Sequence, residues 1–520
     1  MTRAARAGAT SLAACVGLAL AACAAGPDFE RPPPPRVERY TRAPPAGATD
    51  AATAGEAGTA VAAAGDGAAA GRAGAGATAG ASGGATPAAQ QFVPGGALPR
   101  DWWRAFGNGE LDSLVEEALR ANPTLQGAQA TLRQARENVA VQRASFFPVV
   151  SAAASATRQR NPVEVLAPTL TSGAALFNLY TAQVAVSYAL DLFGTNRRAT
   201  ESAGALAEAA RCQRDATYLT LAGNVVVTAI QDAGLRAEVT ATARTIAAGR
   251  DALAILERSH ALGAAPEADV AVQQAALAQL EASLPPLELR LKTGRDLLAV
   301  LLGRLPADGP VPQFELSSLT LPAEIPLGIP AELVRRRPDV QAAEAQLHAA
   351  AAQLGVSVAN LLPQVTLDAG IGSTSTRTTQ LFKSNTGFWS AGATLTQTLF
   401  AGGARWHQKR AAEAALDAAG AAYRAAVLMA FQNVADSLRA LELDRGALAA
   451  ARRAAGAAER SFVIAQRQLE LGATSRFAFV AAEQALQQTT LALAQAEASQ
   501  YADTAALFQA LGGGPEPAAH

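Results

Sequence analysis

The sequence predicts a mixed fold in which amphipathic strands and very long helices occur in two tandem copies. Three observations lead there. Pro123 matches Pro338 and Pro148 matches Pro363, both at an offset of 215, and each pair brackets one heptad pattern. Four stretches change from a helical period to a period of two. No proline interrupts the chain between Pro168 and Pro266, or between Pro363 and Pro515, so very long helices are possible.

In the first copy Leu125, Ala128, Leu132, Ala135 and Val139 follow a 3-4-3-4 spacing, and Val340, Ala343, Leu347, Ala350 and Leu354 repeat it in the second. Two strands follow in each copy, near 148–160, 178–193, 363–376 and 387–400. Val184, Val186, Tyr188, Leu190 and Leu192 alternate with Ala185, Ser187, Ala189 and Asp191. Val365, Leu367, Ala369 and Ile371 alternate with Gln364, Thr366, Asp368 and Gly370. Leu395 and Leu399 alternate with Thr394, Thr396 and Thr398, with Gln397 falling on the apolar side. Such alternation suits membrane-barrel strands and soluble-sandwich strands equally. A closed membrane barrel needs about eight strands or more, and open edges do not survive in lipid. If these four strands span a membrane, several chains share one barrel, with 161–177 and 377–386 as loops at the far end.

Each strand pair leads into a helical run, Arg198 to Leu262 and Ala404 to Leu471. About 65 residues make a rod of roughly 100 Å, some three times the hydrocarbon thickness of a bilayer, so these are not membrane spans. The rods end alike. Arg258 aligns with Arg467, Leu262-Gly263-Ala264 with Leu471-Gly472-Ala473, and Leu277 with Leu486. Each glycine is placed to end a helix in the left-handed conformation. A return helix follows, closing at "AVLLGRLP" and at "QALGGGP".

Of the 520 residues, 50% are apolar but only 5% aromatic, so alanine supplies much of the apolar fraction. A net charge of −1 gives no argument for nucleic acid. The histidines, His260, His348, His407 and His520, are too scattered for a metal site, and the methionines are only Met1 and Met429. No convergent polar set points to an enzyme or to a cofactor. Trp102-Trp103 reads as a packing anchor and Arg335-Arg336-Arg337 as a helix-start cluster.

The N-terminus has a positive stretch at Arg3 and Arg6, a short apolar run from Ser11 to Leu20, and then Leu20-Ala21-Ala22-Cys23, which resembles a bacterial lipobox. The same tetrapeptide ends at Cys15, but cleavage there leaves almost no apolar run. Cys23 is the expected acylation site, against an ordinary signal peptide cut nearby without lipid. Cys212 is then left alone. From about Pro44 to Pro99 the chain is mostly alanine, glycine and threonine and reads as a disordered linker. The expected domains are a signal peptide (1–22), a lipidated tether and Ala/Gly-rich linker (23–99), two repeats (100–310 and 325–514) and a tail (515–520).

The motifs "CAAGPDFERP", "WWRAFGNGELDSLVEEALRANPTL", "GIPAELVRRRPDVQAAEAQL", "LFAGG" and "FQALGGG" together resemble the outer-membrane efflux lipoproteins of the TolC-like superfamily, of the nodulation-protein-T type. The resemblance implies a homotrimer in the outer membrane. Its twelve-strand barrel, four strands per chain, is continued by a long helical barrel in the periplasm. It implies a passive exit channel of a tripartite pump for drugs or other small toxic compounds. The partners are then a periplasmic adaptor, docked at the tip turns, and an inner-membrane transporter of the resistance-nodulation-division type. The exit duct of a type I protein-secretion system is the alternative. The family often places gate aspartates just past the tip turn. Here the second repeat has Ala478 and Ala481, with only Glu483 nearby, while the first keeps Glu267 and Asp269. Three copies of Asp269 form a cation-attracting ring if they line a lumen; otherwise they are solvated tip charges.

Overall fold

The computed structural model describes residues 25–33, 40, 90–94, 98–160, 176–327 and 330–513. The signal 1–22, Cys23, the tract 41–89 and the tail 515–520 lie outside the described residues. The elements run β1 (Gln91–Pro94), a 3-10 turn (Trp102–Phe106), α1 (Gly109–Ala121), α2 (Pro123–Ala144), β2 (Val149–Arg160), β3 (Leu176–Leu190), α3 (Thr195–Ala261) and α4 (Glu267–Leu301). The second half follows as β4 (Glu324–Leu327), α5 (Pro330–Arg336), α6 (Pro338–Ala359), β5 (Gln364–Ser375), β6 (Gly387–Thr396), α7 (Ala404–Glu470) and α8 (Arg476–Ala510). The duplication is visible in the bounds: α3 and α7 have 67 residues each, and α4 and α8 have 35 each.

The chain divides into two units. A sheet unit holds Met1–Pro33, Gly127–Arg214 and Asp339–Ala426, and a helical unit holds the rest. In the sheet unit β2, β3, β5 and β6 form one antiparallel sheet in that order. Its register pairs Val184 with Ile371, Val186 with Ala369, Tyr188 with Leu367 and Leu190 with Val365, and Val365 in turn with Leu395. Paired residues share a face, so the apolar positions of the separate strands fall on one side. The polar positions meet on the other, where Ser187 donates to Asp368 at 2.8 Å and the hydroxyls of Thr181 and Thr374 lie 3.2 Å apart.

The strand ends correct the sequence reading. β3 stops at Leu190, and Asp191, read as a strand residue, caps α3 instead: its carboxylate accepts from the backbone N–H groups of Asn196 and Arg197, both at 2.9 Å. β6 stops at Thr396, so Gln397 lies beyond the strand, where it donates to the Leu361 carbonyl at 3.0 Å. That removes the flaw in the alternation. In α6 the buried stripe is Ala342, Ala345, Ala349 and Ala352, while Ala343, Leu347 and Ala350 of the expected seam are only half-buried. Small side chains there admit close contact, and Ser202 of α3 reaches the Ala349 carbonyl at 3.1 Å.

The linker reading, about Pro44 to Pro99, needs correcting near its C-terminal end. Gln91–Pro94 pair in parallel with Glu324–Leu327, burying Phe92 and Ile325. Residues 25–33 are held in the sheet unit by contacts described below.

The helical unit has an aromatic core. Trp102 and Trp103, only 1% and 2% exposed, are the packing anchor that their sequence suggested. Trp102 and Phe106 lie 5.7 and 6.2 Å from Phe508, ring to ring. The Arg335-Arg336-Arg337 cluster divides: the first two end α5, while Arg337 is buried and donates to the Ala510 carbonyl at 2.8 Å. Ala510 is the last residue of α8. In the first repeat Asn122 does the equivalent work, donating to the Leu301 carbonyl at the end of α4 at 2.9 Å. Its own side-chain oxygen accepts from the Thr124 N–H at 2.8 Å, at the start of α2. Asn122 and Arg337 stand at the 215 offset that relates Pro123 to Pro338.

Removing either cap leaves a helix-terminal carbonyl, half-buried at Leu301 and buried at Ala510, without its donor. Asn122→Ala and Arg337→Met should each destabilise the protein by about 1–3 kcal/mol, read as a lowered thermal midpoint; unchanged midpoints would show that the caps contribute nothing.

Candidate functional site

The two tip turns have the same geometry. Gly263 and Gly472 sit at φ +72° and +67°. The Ala264 N–H reaches back to the Ser259 carbonyl at 2.9 Å and the Gly263 N–H to His260 at 2.8 Å. In the second turn Ala473 bonds Gln468 at 2.8 Å and Gly472 bonds Leu469 at 3.0 Å. Each set of six-to-one and five-to-two bonds is a Schellman motif, which needs the left-handed residue that glycine adopts at no steric cost. The leucines before the glycines are not packed away: Leu262 is 85% exposed and Leu471 is 76% exposed, with Phe477 exposed just beyond. Both turns present apolar side chains to their surroundings.

The candidate gate acids occupy different environments. Glu267 and Asp269 are exposed in the first turn of α4, whose N-cap, Pro266, supplies no side-chain acceptor. Negative charge is favourable there because the first N–H groups of a helix are unsatisfied. This gives the two acids a local role beside the lumen role that the sequence left open. Glu483 is half-buried in α8, and burial holds its carboxyl above the usual range. Ala478 and Ala481 are exposed.

Close to Cys23, the segment from Ala25 is fastened to the sheet unit. The Ala25 N–H donates to the Phe193 carbonyl at 3.0 Å, between the end of β3 and the start of α3. Arg198, only 6% exposed, donates to Asp28 at 2.5 Å and to Glu201 at 2.8 Å. Glu201 also meets His348 at 2.9 Å, and the His348 ring stacks on Phe29 with centroids 4.4 Å apart. Arg31 pairs with Glu344. Gly26 and Gly355 allow the close approach, since a Cβ on Gly26 would stand 2.5 Å from the Gly355 Cα.

Two polar groups in the helical unit were missed from the sequence. Asp232 of α3 accepts from Arg236 at 2.9 Å and from Arg295 of α4 at 3.1 Å. Glu238 accepts from Gln495 at 3.2 Å and faces Arg290 at 3.7 Å. Asp232, Glu238, Arg290 and Gln495 edge a cleft of about 600 Å³. In the second repeat the position matching Asp232 is Leu441, fully buried, and the acids lie elsewhere, at Asp444 and Asp503. Burial, then the hydrogen bond and the charge of Asp503, push the Asp444 carboxyl up to about 7. Two carboxyls can bond only by sharing a proton. The available signal was comparative: acids stand at 444 and 503 where the first repeat has Leu235 and Gly294. Among the described residues no group of His, Cys, Asp and Glu is arranged to hold a metal ion.

Comparison with known proteins gives a consistent result. The sequence model of the family "Outer membrane efflux protein" matches residues 114–304 and 329–513. The chain is 30% identical over 427 residues to the pyoverdine export outer membrane protein OpmQ of Pseudomonas putida, covering 80% of this chain and 89% of that protein. It is 26% identical over 420 residues to nodulation protein T of Rhizobium leguminosarum bv. trifolii, covering 80% and 88%. The solved structure of the outer-membrane channel OprN superposes with a TM-score of 0.75 at 30% identity, over 82% of this chain and 97% of that one.

The acid pair makes the region sensitive to pH. Asp444 titrates near 7 in the folded chain and near 3.8 when unfolded. Its contribution is therefore complete below about pH 4 and lost as pH rises to about 7. Amide exchange in the α7 and α8 segments carrying Asp444 and Asp503, corrected for intrinsic rates, should quicken between pH 5 and pH 8 in the wild type. Asp444→Asn should flatten that response; equal pH dependence in both proteins would remove the pair as its cause.

Proposed function

The chain belongs to the outer membrane efflux protein family, works in the outer membrane as the exit channel for exported compounds, and from that premise we propose that three copies build one channel. The observation that carries this reading is the sheet. The alternating apolar positions of β3 and β5, from Val184 to Leu190 and from Val365 to Ile371, share one face with Val150 of β2 and Trp389 and Leu395 of β6, and β2 and β6 are edges with no partner among the described residues. Lipid tolerates no open edge, and four strands are too few to close a barrel. Three sheets joined edge to edge give twelve strands with the apolar face toward lipid and the Ser187–Asp368 face toward the lumen. The helices leave from the opposite end of the strands to the hairpin connections, so the connections face outward and the helices enter the periplasm. Helix α7 supports assembly as well: an 18-residue stretch of it has a mean hydropathy of 1.3 but is only 17% buried within the chain. Leu428 and Met429 stand exposed on it, apolar surface that a neighbouring copy would cover.

The tip turns then serve as the docking rim for a periplasmic adaptor, which links the channel to an inner-membrane transporter. Their exposed leucines suit an apolar docking contact. The relative named for pyoverdine export favours small organic cargo over the protein-secretion duct. Glu483, Glu267 and Asp269 are the acids available for a gate. Cys23 is the lipidated residue, and the Ala25–Phe193 bond holds the chain two residues later at the junction of strand and helix, within reach of the inner leaflet. Several acyl chains hold a protein far more firmly than one.

Gly472→Val should force a β-branched residue into the left-handed region. We expect trimers in the outer membrane at wild-type level, with adaptor crosslinking and drug resistance of the complemented strain both reduced; full export by this variant would move the docking rim elsewhere. Labelled palmitate should enter the wild type and be absent from Cys23→Ser. Label that persists there but disappears in Cys15→Ser would reassign the anchor.

A further inference from the structure

The four strands of the larger sheet, β2, β3, β5 and β6, carry three charged side chains. Asp368 lies on the polar face, whereas Arg158 and Arg160 lie on the apolar face, at its hairpin end. The connection from β5 to β6 adds Arg377 and Lys383 at the same end and no acid. All four cations are exposed, and none makes an ion pair among the described residues. The connection is also folded onto the apolar face. Ser373, which the register places there, accepts from the Phe382 N–H at 3.1 Å and donates to Thr386 at 2.7 Å. Phe382 and Asn385 both hold φ +73°, a conformation such residues adopt only where neighbouring contacts enforce it. Between the folded connection and the sheet lies a hollow of about 640 Å³, with Ala152, Ala182 and Ile371 along the sheet and Phe382 and Lys383 at its rim. Trp389 and Tyr180 flank it on the same face.

From this we infer that the hairpin end of the apolar face binds an acylated, bisphosphorylated glycolipid of the outer leaflet. The inference rests on the orientation proposed above. The small side chains of the hollow leave room for an acyl chain, and the aromatic residues sit where an interface favours them. Guanidinium groups bind phosphate through paired hydrogen bonds, and Lys383 adds a point charge. The cations are not clustered: β2 and β5 lie two strand spacings apart, about 10 Å. A headgroup with one phosphate satisfies one side of that span, whereas a headgroup with two satisfies both. An apolar face capped by positive charge with no ion pair among the described residues is complementary to an acyl chain capped by negative charge.

Native mass spectrometry of the purified channel tests the assignment, with a synthetic hexa-acyl glucosamine disaccharide bisphosphate as the probe. We expect retention by the wild type, at least tenfold weaker retention by the triple variant Arg158→Ser/Arg160→Ser/Lys383→Ser, and intermediate retention by Arg158→Lys/Arg160→Lys. The dephosphorylated disaccharide and phosphatidylglycerol should be retained at least tenfold less than the bisphosphate. Equal retention of either control, or wild-type retention by the triple variant, overturns the inference. Single-channel conductance of the triple variant should match the wild type, showing that the barrel is intact. An impermeant thiol reagent applied to intact cells should label Ser384→Cys. Absence of that label would refute the orientation itself and the inference with it, whereas labelling combined with failed lipid retention refutes the inference alone.

Discussion

Asn122 and Arg337 each bond the last carbonyl of a return helix, and the rest of the repeat depends on that closure. A helix of 67 residues leads away, and a helix of 35 residues must bring the chain back into register with the next repeat. The final carbonyls of a helix have no partner within it. Here they are satisfied by the residue that stands immediately before the proline opening the short helix. The two ends of each repeat are thereby joined by one side chain, an amide in the first and a guanidinium in the second. The geometry has been kept while the chemistry has changed.

Closure of the repeats is matched by agreement between their strands. A shift of one residue in any pairing would turn a strand's apolar set to the polar side. The pairings of Leu190 with Val365 and of Val365 with Leu395 avoid that, so strands from separate repeats present a single apolar face. Transitions between strand and helix are fixed locally. Asp191 caps the first long helix, while Gly402 and Gly403, both at positive φ, precede the second. The two solutions explain why the sequence around them looks so different.

Polar interactions distinguish the repeats more than their backbones do. In the first, Asp232 ties α3 to α4 through Arg295 and is also paired with Arg236 of its own helix. In the second, buried Leu441 stands at the matching position, and a carboxyl pair joins α7 to α8 one turn further on. An ion pair between helices is indifferent to mild acid, whereas a shared proton is not. The repeats thus place acids at different positions between their long helices, and duplication alone would not have produced that difference.

Periodicity and two internal offsets, 215 between the matched prolines and 209 between the tip turns, determined the repeats, the four strands of the larger sheet, the long helices and the tip glycines, because each depends on residues close together in the chain. The same locality explains the small errors: Asp191 and Gln397 continue a strand pattern in sequence, but the chain has already turned toward a helix. The motifs made the family legible, and the spacing of Leu262-Gly263-Ala264 and Leu471-Gly472-Ala473 foretold matching turns. Tertiary structure alone decided which residues meet across the chain. Arg198 found Asp28, Arg337 found Ala510, and Asp444 found Asp503 over separations that no local pattern records. It also drew residues 25–33 and 91–94 out of a stretch whose composition suggested only a tether. Four ordered residues amid an alanine-rich tract carry too little periodic signal, and it is burial of Phe92 against Ile325, supplied by a strand more than two hundred residues away, that makes them a strand.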